Sequence, residues 1–166
     1  SDNRPSSDSL IVALRVGYST GRTGTEWRGR GAEHAGTLLN MLMQRLQIRS
    51  AGVVSRRLLP AIADSNLERF GSAITEISRL NGTWYTNEQG GVYRPPAGEV
   101  ISHLQDSAAC FGTGQSSWGP TVYTITDSEH LQTTKEAARE AVQLSGTDAT
   151  ILTVSGRNAG ARVDSR

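Results

Sequence analysis

The segment from Phe111 to Tyr123 holds the residue types in this sequence that are best suited to binding a ligand. Its glycines can approach a ligand closely and adopt positive φ, so several backbone N–H groups could converge on an anion. Neutral hydrogen-bonding side chains and one flat indole accompany them. The residues concerned are Gly112, Gly114, Gly119, Gln115, Ser116, Ser117 and Trp118. This composition predicts a loop that binds a phosphate or another polar substrate group, with a plain glycine-rich hairpin as the alternative.

Common phosphate and metal motifs do not occur in the sequence. No lysine follows the glycines, so the segment is not a P-loop, and its GxGxxxxG spacing differs from the dinucleotide fingerprint. His34, His103 and His130 lie far apart, and no zinc or calcium spacing accompanies them. Cys110 borders the segment without a nearby histidine, which favours a small packing residue over a nucleophile. We therefore predict neither a metal site nor a cysteine nucleophile.

Charge and composition exclude several classes of partner. The 166 residues include 17 Lys and Arg against 16 Asp and Glu, a net charge of +1, which is too small to attract nucleic acid or an anionic membrane. No apolar run approaches the ~18 residues of a membrane-spanning helix. A single cysteine gives no sign of an oxidising compartment and favours the cytoplasm. We predict a linker or chain end at residues 1–9 and a single domain at residues 10–166.

Apolar periodicity predicts the first elements. Leu10–Val16 is a β-branched run typical of a buried strand, and the glycine- and arginine-rich stretch Gly17–Gly36 should be a loop. Leucines at 38, 39, 42 and 46 predict a helix from Thr37. A further helical stretch over Val53–Leu59 should end near Pro60, because proline lacks the donor that a helix needs.

The second half of the chain continues the alternation. A capping-box pattern at Ser65-Asn66-Leu67-Glu68 predicts a helix start, and Asn81-Gly82 predicts its end. The remaining expectations are a shaped loop at Tyr85–Gly98, a helix at Glu99–Gln105, a strand entered through Ser107–Ala109, a strand at Thr121–Thr126, a helix from Asp127 or Ser128 to Leu144, and a strand at Thr150–Val154. This order predicts an α+β ferredoxin-like sandwich, with a four-stranded mainly antiparallel sheet and helices on one face.

Several segments resemble one enzyme family, the beta-ribofuranosylaminobenzene 5'-phosphate synthases. Gly114-Gln115-Ser116-Ser117-Trp118-Gly119-Pro120-Thr121 resembles the glycine-rich motif of that family. Four further segments resemble it in the same order along the chain, and the last lies near the chain end. They are Leu58–Ala61, Phe70–Ile77 with Leu80–Gly82, Gln89–Tyr93 and Arg157–Ala161. The synthases belong to the GHMP kinase superfamily, whose members join an amino-terminal nucleotide-binding half to a ferredoxin-like carboxy-terminal half. The sequence lacks the phosphate loop of the first half, so the resemblance implies the second half of a longer polypeptide or of a split gene.

The resemblance also implies an activity. The family condenses 4-aminobenzoate with phosphoribosyl pyrophosphate, with loss of carbon dioxide and pyrophosphate, in tetrahydromethanopterin biosynthesis. Mg²⁺ is the implied cofactor, with no ligands identified, and the missing amino-terminal half is the implied partner. A homodimer stays open. The resemblance thus implies a glycosyltransferase of which this chain alone is inactive.

Further site residues follow from the same resemblance. In a GHMP-type cleft, Gly112–Pro120 would supply donors, and Gln89, Tyr93 and Arg94 would line another wall. Arg94 could hold a phosphate or carboxylate in a bidentate manner, or could be an ordinary exposed arginine. Glu76, which the apolar stripe of its helix does not explain, could orient an amine or a metal-bound diphosphate, or could simply be solvated.

Two other functions fit the same fold. An ATP-dependent small-molecule kinase of the GHMP superfamily would share the architecture, although the Gln-Ser-Ser-Trp-Gly-Pro string argues against it. A non-catalytic binding or dimerisation module is the second alternative. The kinase would transfer a phosphoryl group, and the module would catalyse no reaction.

Overall fold

A four-stranded antiparallel sheet organises the chain. The computed structural model describes residues 9–17, 32–117 and 119–156. The strands are β1 (Leu10–Val16), β2 (Gly112–Gln115), β3 (Thr121–Thr126) and β4 (Ala149–Ser155), in the spatial order β2-β3-β1-β4. Strand β1 is central, because Leu14 pairs with Val122 on one side and with Ile151 on the other. The predicted fold class and order of elements are confirmed.

The helices surround this sheet unevenly. They are α1 (Ala32–Val53), α2 (Leu59–Ala63), α3 (Leu67–Trp84), α4 (Thr86–Gln89), α5 (Ala97–Gln105) and α6 (Leu131–Leu144). Helices α5 and α6 cover one face of the sheet. Helix α3 lies along the outer edge of β2, and α1 packs on α3.

The main core lies between α5, α6 and the covered face. Alternate residues of β1 point into it, as the period of two in a strand requires, and Val12 and Leu14 are fully buried. The helices contribute Val100, Ile101 and Leu104 from α5 and Ala138 and Ala141 from α6, which are also buried. Both helices were predicted from the sequence, and they end at Gln105 and Leu144 as expected.

The opposite face of the sheet carries exposed apolar side chains on β4, which no described residue covers. Leu152 and Val154 of β4 are 53% and 44% exposed on this face. Their pairing partners Ala13 and Ile11 lie beside them on β1, and Tyr123 continues the same face on β3. None of the helices in the described ranges has the length and apolar content to cross a membrane.

Two predicted boundaries in the helical region are wrong. Pro60 does not end a helix, because π-helical turns at Val54–Leu58 shift the hydrogen-bond register and place Pro60 in the first turn of α2. Proline is tolerated in the first turn of a helix, where its fixed φ suits the helical backbone. Helix α1 begins at Ala32, inside the stretch predicted to be a loop, and residues 18–31 of that stretch lie outside the described residues.

The predicted ends of α3 are also wrong. Ser65 has φ of 51° and lies before the cap, whereas the Asn66 side chain accepts a hydrogen bond from Arg69 N at 2.8 Å. At the other end Gly82 does not stop the helix, which continues to Trp84. Gly82 is buried against Val92 O, where a Cβ would overlap, so close packing requires this glycine.

Three later predictions need correction for similar local reasons. Ser107–Ala109 form a turn closed by Cys110 N donating to Ser107 O at 3.1 Å, and β2 begins only at Gly112. Asp127 accepts from His130 N at 2.8 Å and closes the preceding turn, so α6 begins at Leu131. The predicted loop Tyr85–Gly98 contains the short helix α4, which ends where Gly90 adopts φ of 81°.

Candidate functional site

Helix α3 covers the free edge of β2 with hydroxyl groups. Thr113 N donates to Thr75 Oγ1 at 2.9 Å, and Gln115 N donates to Ser78 Oγ at 3.1 Å. An edge strand otherwise leaves such N–H groups without a partner, and a buried donor needs one. The two side chains therefore replace a neighbouring strand and fix α3 against the glycine-rich segment.

Small residues permit this close contact. A Cβ at Gly71 would overlap with the backbone of Phe111, and one at Gly112 would overlap with the backbone of Gly71. A Cβ at Gly114 would overlap with Ser78 Oγ and Tyr123 Oη. Gly112 and Gly114 are thus strand residues needed for packing, and their predicted role as positive-φ members of a loop is wrong. Only the Gly119 part of that prediction holds, with φ of 80°.

The turn itself is shorter than predicted and spans Ser116 to Pro120. Ser116 N donates to Thr121 O at 2.8 Å, and Gly119 N donates to Ser116 O at 2.9 Å. Ser117 has φ of 52°, and its exposed side chain and that of Ser116 reach the surface. Trp118 lies outside the described residues, so its role stays a prediction. The turn presents neutral hydroxyl groups at the end of the β2–β3 hairpin.

Gln89 and Gln115 form a buried amide network below this turn. Gln115 Oε1 accepts from Arg94 N at 2.8 Å, while Gln115 Nε2 donates to Gln89 Oε1 at 3.2 Å and to Ser117 O at 2.9 Å. Gln89 Nε2 donates in turn to Val92 O at 2.8 Å. The structure therefore brings together two segments predicted as separate walls. The glutamines hold those segments in place, and their amides are already occupied.

Ser78 lies near two half-buried tyrosines that the sequence did not single out as a pair. Burial raises the pKa of Tyr93 and of Tyr123, and the nearby Ser78 hydroxyl partly offsets that effect for each. Tyr93 Oη is buried and has no well-formed hydrogen bond among the described residues. Both phenols stay protonated at neutral pH and can donate a hydrogen bond. The three residues come from β3, from the segment before α5, and from α3. Their proximity is therefore visible only in the tertiary structure.

A cleft of about 500 Å³ opens between α1, α3 and the turn. Its lining combines apolar side chains with neutral polar ones and contains no charged residue among those described. The lining residues are Gln47, Ser50, Ile74, Ile77, Ser78, Asn81, Trp84, Gln115, Ser116, Ser117 and Tyr123. Such a cleft can hold an aromatic ring against its apolar side and hydrogen-bond a ring substituent at the other.

Other predicted site residues lie away from this cleft. Glu76 faces the opposite flank of α3, where it pairs with Arg57 and lies 3.7 Å from Arg49. Arg94 is exposed, and its backbone N–H is held by Gln115. Within the described ranges, no group of three or more His, Cys, Asp or Glu side chains could hold a metal ion.

Two curated relatives share the sequence over most of the chain. Beta-ribofuranosylphenol 5'-phosphate synthase of Methanothermobacter thermautotrophicus is 30% identical over 113 residues, covering 68% of this chain and 32% of that protein. The synthase of the same name from Archaeoglobus fulgidus is 30% identical over 112 residues, covering 68% and 33%. The chain therefore spans about a third of the length of these relatives. No family model matches it.

Solved structures of GHMP-type enzymes share the fold. Mevalonate diphosphate decarboxylase from Enterococcus faecalis is 14% identical with a TM-score of 0.55, covering 93% of this chain and 46% of that chain. MDDEF in complex with MVAPP, AMPPCP and magnesium gives 14% identity and a TM-score of 0.58, covering 94% and 47%. Galactokinase from Lactococcus lactis, complexed with galactose, gives 10% and 0.53, covering 92% and 46%. Together with the sequence relatives, these matches show that the chain belongs to the ribofuranosyl 5'-phosphate synthase family and represents its carboxy-terminal, GHMP-kinase-type half.

Proposed function

We propose that the chain is the carboxy-terminal domain of a synthase that joins 4-aminobenzoate to phosphoribosyl pyrophosphate. The similarity to two synthases over 68% of the chain carries this proposal. In the reaction, a bond forms between sugar C1 and the ring carbon that loses its carboxylate as carbon dioxide. Pyrophosphate leaves C1 with the electrons of the broken C–O bond. The product would serve tetrahydromethanopterin biosynthesis.

The cleft beside the turn supports a role in holding the ring. Ile74, Ile77 and Trp84 offer an apolar surface, whereas Ser78 and Tyr123 offer neutral hydroxyl groups. An aromatic acceptor with one polar substituent matches that division. The relatives are named as ribofuranosylphenol synthases, whereas the sequence motifs resemble those of ribofuranosylaminobenzene synthases. Whether the ring carries a hydroxyl or an amine is therefore the point to test. Both a ring amine and a ring hydroxyl can hydrogen-bond to Ser78 or Tyr123.

The charged groups that the reaction needs would come from an upstream half. A diphosphate leaving group and a developing positive charge at C1 require cations and fixed dipoles, which the neutral cleft lacks. Mg²⁺ would then be held by the diphosphate and by residues of that half. We expect the upstream half to cover the apolar sheet face at Leu152 and Val154, which is continuous with the cleft through Tyr123. Covering that face would exclude water from both.

We also propose that residues 10–166 form one domain and that residues 1–9 link it to the upstream half. A cytoplasmic location fits the single cysteine, which permits no internal disulfide. Nearby solved folds include a kinase, so an ATP-dependent kinase is the second candidate. A binding or dimerisation module without catalysis is the remaining alternative.

The decisive assay uses the polypeptide together with its upstream coding region. Release of labelled carbon dioxide from carboxyl-labelled 4-aminobenzoate should require phosphoribosyl pyrophosphate and Mg²⁺. Carboxyl-labelled 4-hydroxybenzoate, run in parallel, identifies the preferred ring substituent. ATP consumption without carbon dioxide release would instead support the kinase, and neither activity would support the binding module. The 166 residues alone should show no synthase activity, because half a cleft cannot position two substrates.

Variants in the same complete protein test the cleft. Gly114→Val should be the most damaging, since its side chain would push Ser78 and Tyr123 away from the hairpin. Ser116→Ala removes one exposed neutral donor, an effect of roughly 0.5–1.5 kcal/mol if that donor binds substrate. Ser128→Ala, an exposed serine outside the cleft, is the matched control. Unchanged kcat/KM in both cleft variants would remove the turn from the site. Trp118→Ala extends the series, because a stacking indole would alter KM for the ring.

A further inference from the structure

A second pocket lies on the other flank of α3 and is rich in arginine. It has a volume of about 510 Å³. It is distinct from the cleft between α1, α3 and the turn, because the two share no lining residue. The charged lining residues are Arg49, Arg57, Arg79 and Glu76. Three guanidinium groups against one carboxylate leave an excess of two positive charges. The protein as a whole carries only +1, so this pocket concentrates positive charge locally.

One face of α3 forms the wall of this pocket. Ser72, Thr75, Glu76 and Arg79 follow one another at spacings of three, one and three residues, which places all four on the same side of the helix. Arg57 reaches this wall from the π-helical turns, donating to Ser72 Oγ at 2.9 Å and pairing with Glu76. Arg49 reaches it from α1, 3.7 Å from Glu76. Three separate elements therefore direct guanidinium groups to one place.

The hydroxyl groups of the pocket have donor capacity to spare. Ser72 Oγ accepts its hydrogen bond from Arg57, and Thr75 Oγ1 accepts from Thr113 N at 2.9 Å. Each hydroxyl can therefore still donate its own proton. Glu76 is the only carboxylate among the described lining residues and already faces two arginines. The pocket thus offers many donors and few acceptors, which is the chemistry of an anion site.

We propose that this pocket binds a phosphate group, either as the free ion or as a phosphate ester. The excess of two charges matches a phosphate dianion, and guanidinium groups bind its oxygens in a bidentate manner. Arg79 is the arginine of the three without an ion pair to Glu76 in the described structure, so it is the group most available to the ligand. The proposal does not depend on the synthase reaction, because none of these residues lines the cleft.

Calorimetric titration of the chain with sodium phosphate, against sodium chloride at equal ionic strength, tests the site. Saturable binding should weaken about tenfold or more in Arg79→Gln, the effect of losing one charged hydrogen bond. Glu76→Gln should strengthen binding, because it removes the carboxylate that competes for the arginines. Arg139→Gln makes the same charge change at an exposed position of α6 outside the pocket and should leave affinity unchanged.

Parallel titrations with pyrophosphate and ribose 5-phosphate separate the sources of the phosphate group. Tighter binding of ribose 5-phosphate than of the free ions assigns the pocket to a sugar phosphate, and equal binding assigns it to the phosphate group alone. Circular dichroism of each variant confirms that it is folded. The proposal is wrong if phosphate shows no saturable binding over chloride. Equal weakening in Arg79→Gln and Arg139→Gln would also overturn it, since that result indicates general charge screening.

Discussion

Replacing Ser78 by alanine should destabilise the chain, because it removes a hydrogen-bond acceptor from the edge of β2. Ser78 is 7% exposed, and its Oγ is the acceptor for Gln115 N, which is itself buried. Alanine removes the acceptor and leaves that N–H facing an apolar methyl group. Thr75 cannot compensate, because its oxygen already accepts from Thr113 N. The backbone donor would therefore be left buried and unpaired.

The size of the effect follows from what is lost. Leaving a buried donor unsatisfied costs about 1–3 kcal/mol. For a chain of this length, each kcal/mol lowers Tm by roughly 2–4 °C, so the expected decrease is on the order of 2–12 °C. Removing Thr75 as well would free the second edge N–H and should add a similar loss. Such a sum is a large fraction of the ~5–15 kcal/mol that stabilises a typical domain.

Urea unfolding and amide hydrogen exchange together measure this effect. Exchange at Gln115 should accelerate in Ser78→Ala, which a general loss of packing would not do selectively. The matched control is Thr83→Ala on the same helix, because the Thr83 hydroxyl is exposed and, among the described residues, bonds only to Arg79 O of its own helix, at 2.8 Å. The reasoning is refuted if Ser78→Ala is no less stable than Thr83→Ala, or if protection of the Gln115 amide is unchanged.

Two further predictions concern packing and ionisation. Gly71→Ala should cost about 1–3 kcal/mol, because the new methyl group overlaps backbone atoms and must push α3 away from β2. Gly156→Ala, where no atom of the described residues lies within 4 Å of the new Cβ, should stay within about 0.5 kcal/mol in the same urea titration. Tyr93 and Tyr123 should ionise above the ordinary pKa of about 10, so their contribution to stability is present below that pH and falls as pH rises through their raised folded-state pKa values. Spectrophotometric titration of the four tyrosines should show two late steps, each lost in the corresponding Tyr→Phe variant, and a single ordinary step for all four would contradict the burial argument.

Local patterns in the sequence determined the elements and their order. The β-branched run Leu10–Val16 became β1, and the apolar spacing of Val100, Ile101 and Leu104 became the buried face of α5. These features depend on the spacing of apolar residues and on side-chain type, both of which are present in the sequence itself. The family resemblance likewise depends only on residue order, and the relatives confirm the family.

Tertiary contacts decided what the glycines and the polar residues do. Gly82 looked like a helix stop, and Gly112 and Gly114 looked like loop residues, yet each lies where another backbone or side chain comes too close for a Cβ. The predicted ligand contacts of Gln89 and Gln115 stay a prediction, and only the structure shows that the two side chains hydrogen-bond to each other. Such roles depend on partners far away in the sequence, so no local pattern can show them.

The candidate sites divide in the same way. The sequence by itself determined that the segment after Phe111 was unusual, because its composition is unusual. Only the tertiary structure placed Ser78 near two half-buried tyrosines, and only it gathered Arg49, Arg57 and Arg79 from three elements around one carboxylate. A local signal for the second site existed in the polar face of α3. That face becomes the wall of a charged pocket only together with the arginines of α1 and of the π-helical turns, which reach it when the helices pack.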